Sequence, residues 1–228
     1  MKGKPIKLLL FDIDGTLVRL DGAGLKALDK AFYDIFGIKD IAFKVDFFGK
    51  TDPCIYEDIL RLAGIEEELA EKKYDDIAAA YLKYLRLEID SFSGNPVIEG
   101  VREFLECNGN LSDRILGLLT GNIELGGRIK IERWGLSDYF AFGAFGSDSK
   151  KRGELVNIAV GRALKLYNIK SFDKSDIYVI GDTRLDIKCA IDNNVKSVAI
   201  ATGKYSFNDL ARYCPDYCFN KITDWRLN

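Results

Sequence analysis

Residues 6–17 restrict the fold of this chain more than any other stretch. Ile6-Lys7-Leu8-Leu9-Leu10 is a short, nearly continuous apolar run, the signature of a strand buried on both faces of a parallel sheet. Where that strand should end, Phe11-Asp12-Ile13-Asp14-Gly15-Thr16-Leu17 brings in two carboxylates and then a glycine, which lets the chain turn sharply. Ligands of open α/β sheets bind beyond the carboxyl ends of the strands. Two acids buried there need a counter-ion or a functional role, because an uncompensated buried charge is costly. A simpler account makes Asp14-Gly15 a turn and Asp12 a cap.

The rest of the chain decides between these accounts. Arg114 to Leu119 is a second apolar strand ending at Thr120-Gly121-Asn122, and Ile177-Tyr178-Val179-Ile180 is another, ending at Gly181-Asp182-Thr183-Arg184-Leu185-Asp186. Phe142 to Phe145, Ser197 to Ala201 and Tyr217 to Phe219 read as further short strands. Helical periods lie between them, at Val97–Cys107, Ile123–Trp134, Glu154–Tyr167, Leu185–Asp192 and Asn208–Tyr213. Strands that alternate with helices predict a parallel, doubly wound α/β sheet. Parallel neighbours would then bring the three polar strand ends to one cleft.

Residues 18–94 have a different character. Gly24–Phe36, Thr51–Leu62 and Glu66–Ile89 carry apolar residues at helical spacing, Pro53 falls in a first helical turn with Thr51 or Asp52 able to cap it, and no segment reads as a strand. Ser93-Gly94-Asn95-Pro96 ends the pattern. The expectation is an all-α insertion over 18–94 within a core made of 1–17 and 95–228. Its aromatics Phe32, Tyr33, Phe36, Phe47, Phe48 and Tyr56 are expected to form its core.

Composition narrows the chemistry. The 228 residues include no histidine, which removes Ser-His-Asp and Cys-His catalysis and imidazole metal ligands together. Carboxylates, Lys or Arg, hydroxyls and an oxygen-loving metal remain. A cluster of Asp12, Asp14, Asp182, Asp186, Thr120 and Asn122 would suit Mg²⁺, which takes a few carboxylates, waters and a phosphate. The 33 basic and 35 acidic residues are spread along the chain, so nothing points to nucleic acid. No apolar run approaches a membrane span, so a cytoplasmic protein, as monomer or homodimer, is expected. Five cysteines at scattered spacings form neither a disulfide framework nor a zinc site. Gly49-Lys50-Thr51 is not a phosphate-binding P-loop, because Lys44 stands where that motif needs glycine.

Asp12-Ile13-Asp14-Gly15-Thr16, Leu118-Leu119-Thr120-Gly121-Asn122 and Gly181-Asp182-Thr183-Arg184-Leu185-Asp186 together resemble the first, second and fourth motifs of the haloacid dehalogenase-like superfamily. The helical insertion is similar to the cap of its phosphoglycolate phosphatase-like branch. The resemblance runs from about Ile6 to Phe219 and implies a Rossmann-like core. It also implies a Mg²⁺-dependent phosphatase acting on a small phosphorylated metabolite through an aspartyl-phosphate.

In that scheme Asp12 is the nucleophile and Asp14 the acid/base. Mg²⁺ sits on Asp12, the Asp14 backbone carbonyl and Asp182, with Asp186 a ligand through water or a residue that orients its neighbours. Thr120, Asn122 with Gly121, and a third-motif base bind the phosphoryl group. Lys150-Lys151-Arg152-Gly153-Glu154-Leu155 departs from the branch's usual form, so Arg152 is favoured for that base and Lys151 stands second. Phe48-Gly49-Lys50-Thr51-Asp52 resembles the cap loop that faces substrate, which makes Lys50 a candidate contact for an anionic leaving group. Members that cleave carbon–halogen bonds lack the second acid, so Asp14 favours an alkoxide leaving group. A phosphomutase resembling β-phosphoglucomutase is the first rival, and a non-catalytic receiver module phosphorylated on Asp12 the second.

Overall fold

A computed structural model describes residues 5–227. Its centre is a six-stranded sheet, β1 (Lys7–Phe11), β2 (Arg114–Leu119), β3 (Gly143–Ala144), β4 (Ile177–Gly181), β5 (Lys196–Ile200) and β6 (Tyr217–Phe219), in the order β3-β2-β1-β4-β5-β6. Every neighbouring pair is parallel; Leu9 faces Leu116 on one side and Tyr178 on the other. The expected doubly wound α/β architecture is therefore present.

Strand alternation explains both layers. Leu9, Phe11, Leu116, Leu118, Tyr178 and Ile180 face one side of the sheet, and Leu8, Leu10, Ile115, Ile177 and Val179 face the other. The first side packs against α4 (Val101–Gly109) and α5 (Glu124–Glu132), the second against α6 (Leu155–Leu166) and α7 (Arg184–Asp192). Each such buried Leu or Ile is worth roughly 1.5–3 kcal/mol of transfer free energy. A short α8 (Phe207–Ala211) precedes β6.

Between β1 and β2 the elements preceding α4 are helical: α1 (Ala23–Phe36), a 3₁₀ turn, α2 (Asp52–Leu62) and α3 (Glu67–Ser91). Leu28, Phe32, Ile55, Tyr56, Ile77, Tyr81 and Leu85 join the apolar cluster of the first sheet face. The outgoing and returning chains are tied together, Arg19 N–H donating to the Pro96 carbonyl at 2.8 Å and Ile98 N–H to the Leu17 carbonyl at 3.0 Å.

Several sequence expectations shift. The helix expected from Val97 begins at Val101, because Val97 and Ile98 pair with the outgoing chain and Gly100 turns at φ 83°. Thr51 does not cap α2; its hydroxyl donates to the Lys150 carbonyl at 3.0 Å. Of the aromatics expected to form a helical core, Phe32 and Tyr56 are buried, but Tyr33 is exposed and Phe47 and Phe48 are half-buried along a cavity. Among the described residues no helix is long and apolar enough to cross a membrane. The five cysteines are free.

Candidate active site

The sheet order reverses direction between β1 and β4, and the crevice at such a switch point is where open α/β folds bind ligands. Asp12 follows β1, Asp182 follows β4, and Thr120 follows β2. A cavity of about 410 Å³ opens there, with Asp12, Asp14, Thr120, Asn122, Lys130 and Arg152 in its wall. Leu25, Leu28, Phe47, Phe48 and Ile55 of the helical segment form much of the opposite side.

Asp12, Asp182 and Asp186 are all buried and each offers an oxygen within 4.8 Å of the others. Among the described residues one cation answers two of them: the Arg152 guanidinium is 3.2 Å from Asp12 Oδ2 and also pairs with Asp186 Oδ1. Burial pushes the Asp12 carboxyl up to about 6, opposed by Arg152 and reinforced by Asp186 and Asp14. Burial, with Asp186 and Asp12 adding, raises Asp182 well above the ordinary carboxylate value. The Thr16 hydroxyl donates to it at 3.1 Å.

The surroundings leave room for that carboxylate. A Cβ on Gly15, which sits at φ 81°, or on Gly203 would collide with Asp182. Among the described residues three buried carboxylates share a single guanidinium, an all-oxygen donor set that fits a hard divalent cation. Asp186 has two duties. Its Oδ2 accepts from the Thr183 N–H at 3.0 Å and hydroxyl at 2.6 Å in a capping box, while Oδ1 faces Arg152.

Asp14 turns away from this cluster. Its Oδ2 accepts from Asn122 Nδ2 at 2.8 Å and from Lys130 Nζ at 2.7 Å, and Lys130 also donates to Asn122 Oδ1 at 2.6 Å. The Asp14 carboxylate is thus absent from the three-acid group, which leaves its backbone carbonyl as the atom expected for a metal. The Asn122 amide, expected to hold a phosphoryl group, is occupied by Asp14 and by the Thr120 hydroxyl at 2.8 Å. Thr120 is fully buried beside Asp12.

The basic candidates separate clearly. Arg152 is buried on Asp12 and Asp186 and also donates to the Gly49 carbonyl at 3.2 Å. Lys151, the second candidate, is exposed with its ammonium 3.6 Å from Glu154 and is not brought to the carboxylates: the chain enters a 3₁₀ turn at Arg152, and Lys151 precedes it facing solvent. Lys50 lines the cavity, but its ammonium pairs with Asp58 at 2.7 Å. Gly121 meets the helical segment, since a Cβ there would strike the Lys50 carbonyl, and its own carbonyl accepts the Asp52 N–H at 2.7 Å.

Lys130 and Asp52 are absent from the sequence-derived set. A helical lysine is ordinarily solvated, and the hint that this one is not lies in its flanks, Ile129 and Ile131, with Gly126 and Gly127 a turn before. Burial by itself works against the Lys130 ammonium, yet Asp14, Tyr81 and Asp52 hold its pKa above the ordinary lysine value.

A model of the haloacid dehalogenase-like hydrolases matches residues 6–194, and the chain belongs to that family of enzymes. No curated protein sequence matches it. Similar solved structures include a predicted phosphoglycolate phosphatase from Haemophilus somnus, 18% identical over 97% of each chain with a TM-score of 0.71. A candidate β-phosphoglucomutase from Bacteroides vulgatus is 19% identical over 98% of this chain and 87% of its own, with a TM-score of 0.65. A candidate haloacid dehalogenase-type hydrolase from Bacillus subtilis bound to magnesium is 16% identical over 97% of each chain, with a TM-score of 0.59. At these identities the likeness establishes the fold.

Proposed function

We propose that this hydrolase is a phosphatase that removes the phosphoryl group from a small phosphorylated metabolite. Residues 18–94 act as its cap, and Asp12, Asp182 and the Asp14 carbonyl hold Mg²⁺, with Asp186 behind them. The observation that carries the reading is the pairing of two acids in different surroundings. Asp12 lies among buried carboxylates and Arg152, while Asp14, two residues on, faces the cavity on separate partners. That separation suits one acid to attack and the other to move a proton.

In the first half-reaction an Asp12 oxygen bonds to phosphorus as the ester P–O bond breaks, and a proton from Asp14 goes to the leaving oxygen. In the second, water bonds to phosphorus, its proton returns to Asp14, and the P–O bond to Asp12 breaks to give inorganic phosphate. Arg152 and the Thr120 hydroxyl, both beside Asp12, offer donors to the phosphoryl oxygens. Mg²⁺, when bound, neutralises charge so that an anionic nucleophile meets an anionic ester. The cavity of about 410 Å³ limits the substrate to a small molecule, and cap closure excludes water from the first step.

The test is a phosphate-release screen over phosphorylated metabolites, with and without EDTA, alongside Asp12→Asn. Turnover should vanish in the variant and with chelator, and return with Mg²⁺. Activity that survives either treatment would overturn the mechanism.

A further inference from the structure

Lys130 is almost fully buried, whereas the Asp14 side chain is about half exposed to the cavity. Taking an ammonium out of water costs several kcal/mol, and a buried ion pair seldom stabilises a fold more than apolar residues of the same volume. The placement therefore asks for a reason other than stability. Lys130 Nζ donates to Asp14 Oδ2 and to Asn122 Oδ1, and the Tyr81 hydroxyl of α3 lies beside the same ammonium.

Among the described residues two donors reach the Asp14 carboxylate, Lys130 Nζ and Asn122 Nδ2, and both fall on Oδ2. Terminal carboxylate torsions are broad, so an unrestrained Asp14 would swing its carboxylate plane and with it the oxygen turned to the cavity. Pinned at Oδ2, it presents Oδ1. The Asn122 amide that shares the task is itself held by Lys130 at its oxygen and by the Thr120 hydroxyl at its nitrogen. Removing Lys130 therefore takes one restraint from each member of the pair and leaves only the Asn122–Asp14 and Asn122–Thr120 bonds to orient them.

We propose that Lys130 is a positioning residue for the acid/base step: it fixes Asp14 so that Oδ1 alone faces the ester, with Tyr81 joining the arrangement from the helical segment. The inference rests on the phosphatase reading of the site. The proton given to the leaving oxygen departs from Oδ1 while Oδ2 keeps its two donors, and the proton taken from water in the second half-reaction returns to Oδ1. Lys130 itself exchanges no proton and touches no substrate atom.

The test compares phenyl phosphate with p-nitrophenyl phosphate, esters of similar size. The nitrophenolate departs readily without a proton, whereas the more basic phenolate depends on one. kcat/KM reports the step in which the ester bond breaks, free of the later hydrolysis. A positioned general acid contributes roughly 10²–10⁴-fold, so in Lys130→Met kcat/KM should fall at least about 10-fold further for phenyl phosphate than for p-nitrophenyl phosphate. Asp14→Asn should show the same bias.

Equal losses on the two esters, or no loss on either, would overturn the proposal, since a lysine that only packs affects both alike. Should Lys130→Met fail to fold, Lys130→Gln, which keeps a donor of similar length, is read by the same ratio. A wild-type enzyme inert toward both esters and toward every phosphorylated metabolite would overturn the phosphatase reading itself. An active wild type with equal losses in the variant would overturn the role of Lys130 alone.

Discussion

Asp52 Oδ2 accepts the backbone N–H of Ile123 at 2.8 Å, joining the first turn of α2 to the chain just beyond β2. The Asp52 N–H donates back to Gly121 at 2.7 Å, so one residue ties the helical segment to the loop that carries Thr120 and Asn122. Burial lifts this carboxyl to about 6, with Lys130 and the Ile123 N–H pulling it down and Asp14 pushing it up.

That shift has a definite sign. Between about pH 4 and pH 6 the folded protein holds a proton on Asp52 that the unfolded chain has released. The corresponding stability is fully present below pH 4 and is lost as the pH rises through 6. Asp52→Asn keeps an acceptor for Ile123 but cannot ionise. Its Tm relative to wild type should rise from pH 4 to pH 7 in thermal melts. A difference that stays flat across that window would refute the assignment.

Arg152 and Lys151 are neighbours in sequence with opposite surroundings. Removing Arg152 leaves Asp12 and Asp186 without their cation, and breaking a buried ion pair on one side costs roughly 3–5 kcal/mol. Urea unfolding of metal-free Arg152→Leu should show a loss of that order, and its turnover should collapse. Lys151→Ala, on an exposed i,i+3 pair, should stay within about 0.5 kcal/mol of wild type with kcat/KM unchanged. The reverse ranking would restore Lys151 as the third-motif base.

Gly203 is kept free of a side chain by Asp182. A Cβ there would run into the carboxylate, and overpacking of this kind costs about 1–3 kcal/mol. Gly203→Ala should therefore lower stability modestly and weaken Mg²⁺ binding much more, as read by calorimetric titration. Unaltered Mg²⁺ affinity would mean that Asp182 is not a ligand.

Three clustered buried acids, two of them paired with Arg152, should also make folding sensitive to a divalent cation. Mg²⁺ at 100 times its Kd would add about 2.7 kcal/mol through mass action, visible as a rise in Tm that EDTA reverses. Asp182→Asn should abolish that rise. A Tm indifferent to Mg²⁺ in the wild type would remove the metal from the site.

How far the chain could be read follows from which interactions are local. The strands after Ile6, at Arg114 and at Ile177 are legible because burial on both faces demands apolar runs, and their polar ends stand out against them. The short β3 falls within the strand expected over Phe142–Phe145 but is only two residues long, whereas the helix expected from Val97 begins at Val101. Gly143 and Ala144 pair only with the last residues of β2, and Val97 is held by the chain opposite at Val18. Neither constraint has a local signature.

The site divides along the same line. The sequence by itself determined that imidazole chemistry is excluded, since no histidine is present, and that Asp12, Thr120 and Asp182 would converge if their strands ran parallel. Only the tertiary structure decided that Arg152 turns inward while Lys151 turns out, and that the Asn122 amide belongs to Asp14. It also brought Lys130, on a helix 116 residues further along the chain, onto the Asp14 carboxylate. A lysine looks the same in sequence whether water or a carboxylate receives its ammonium. The packing of α5 between the sheet and α3 removes the water, and the acid left within reach gives Lys130 its place.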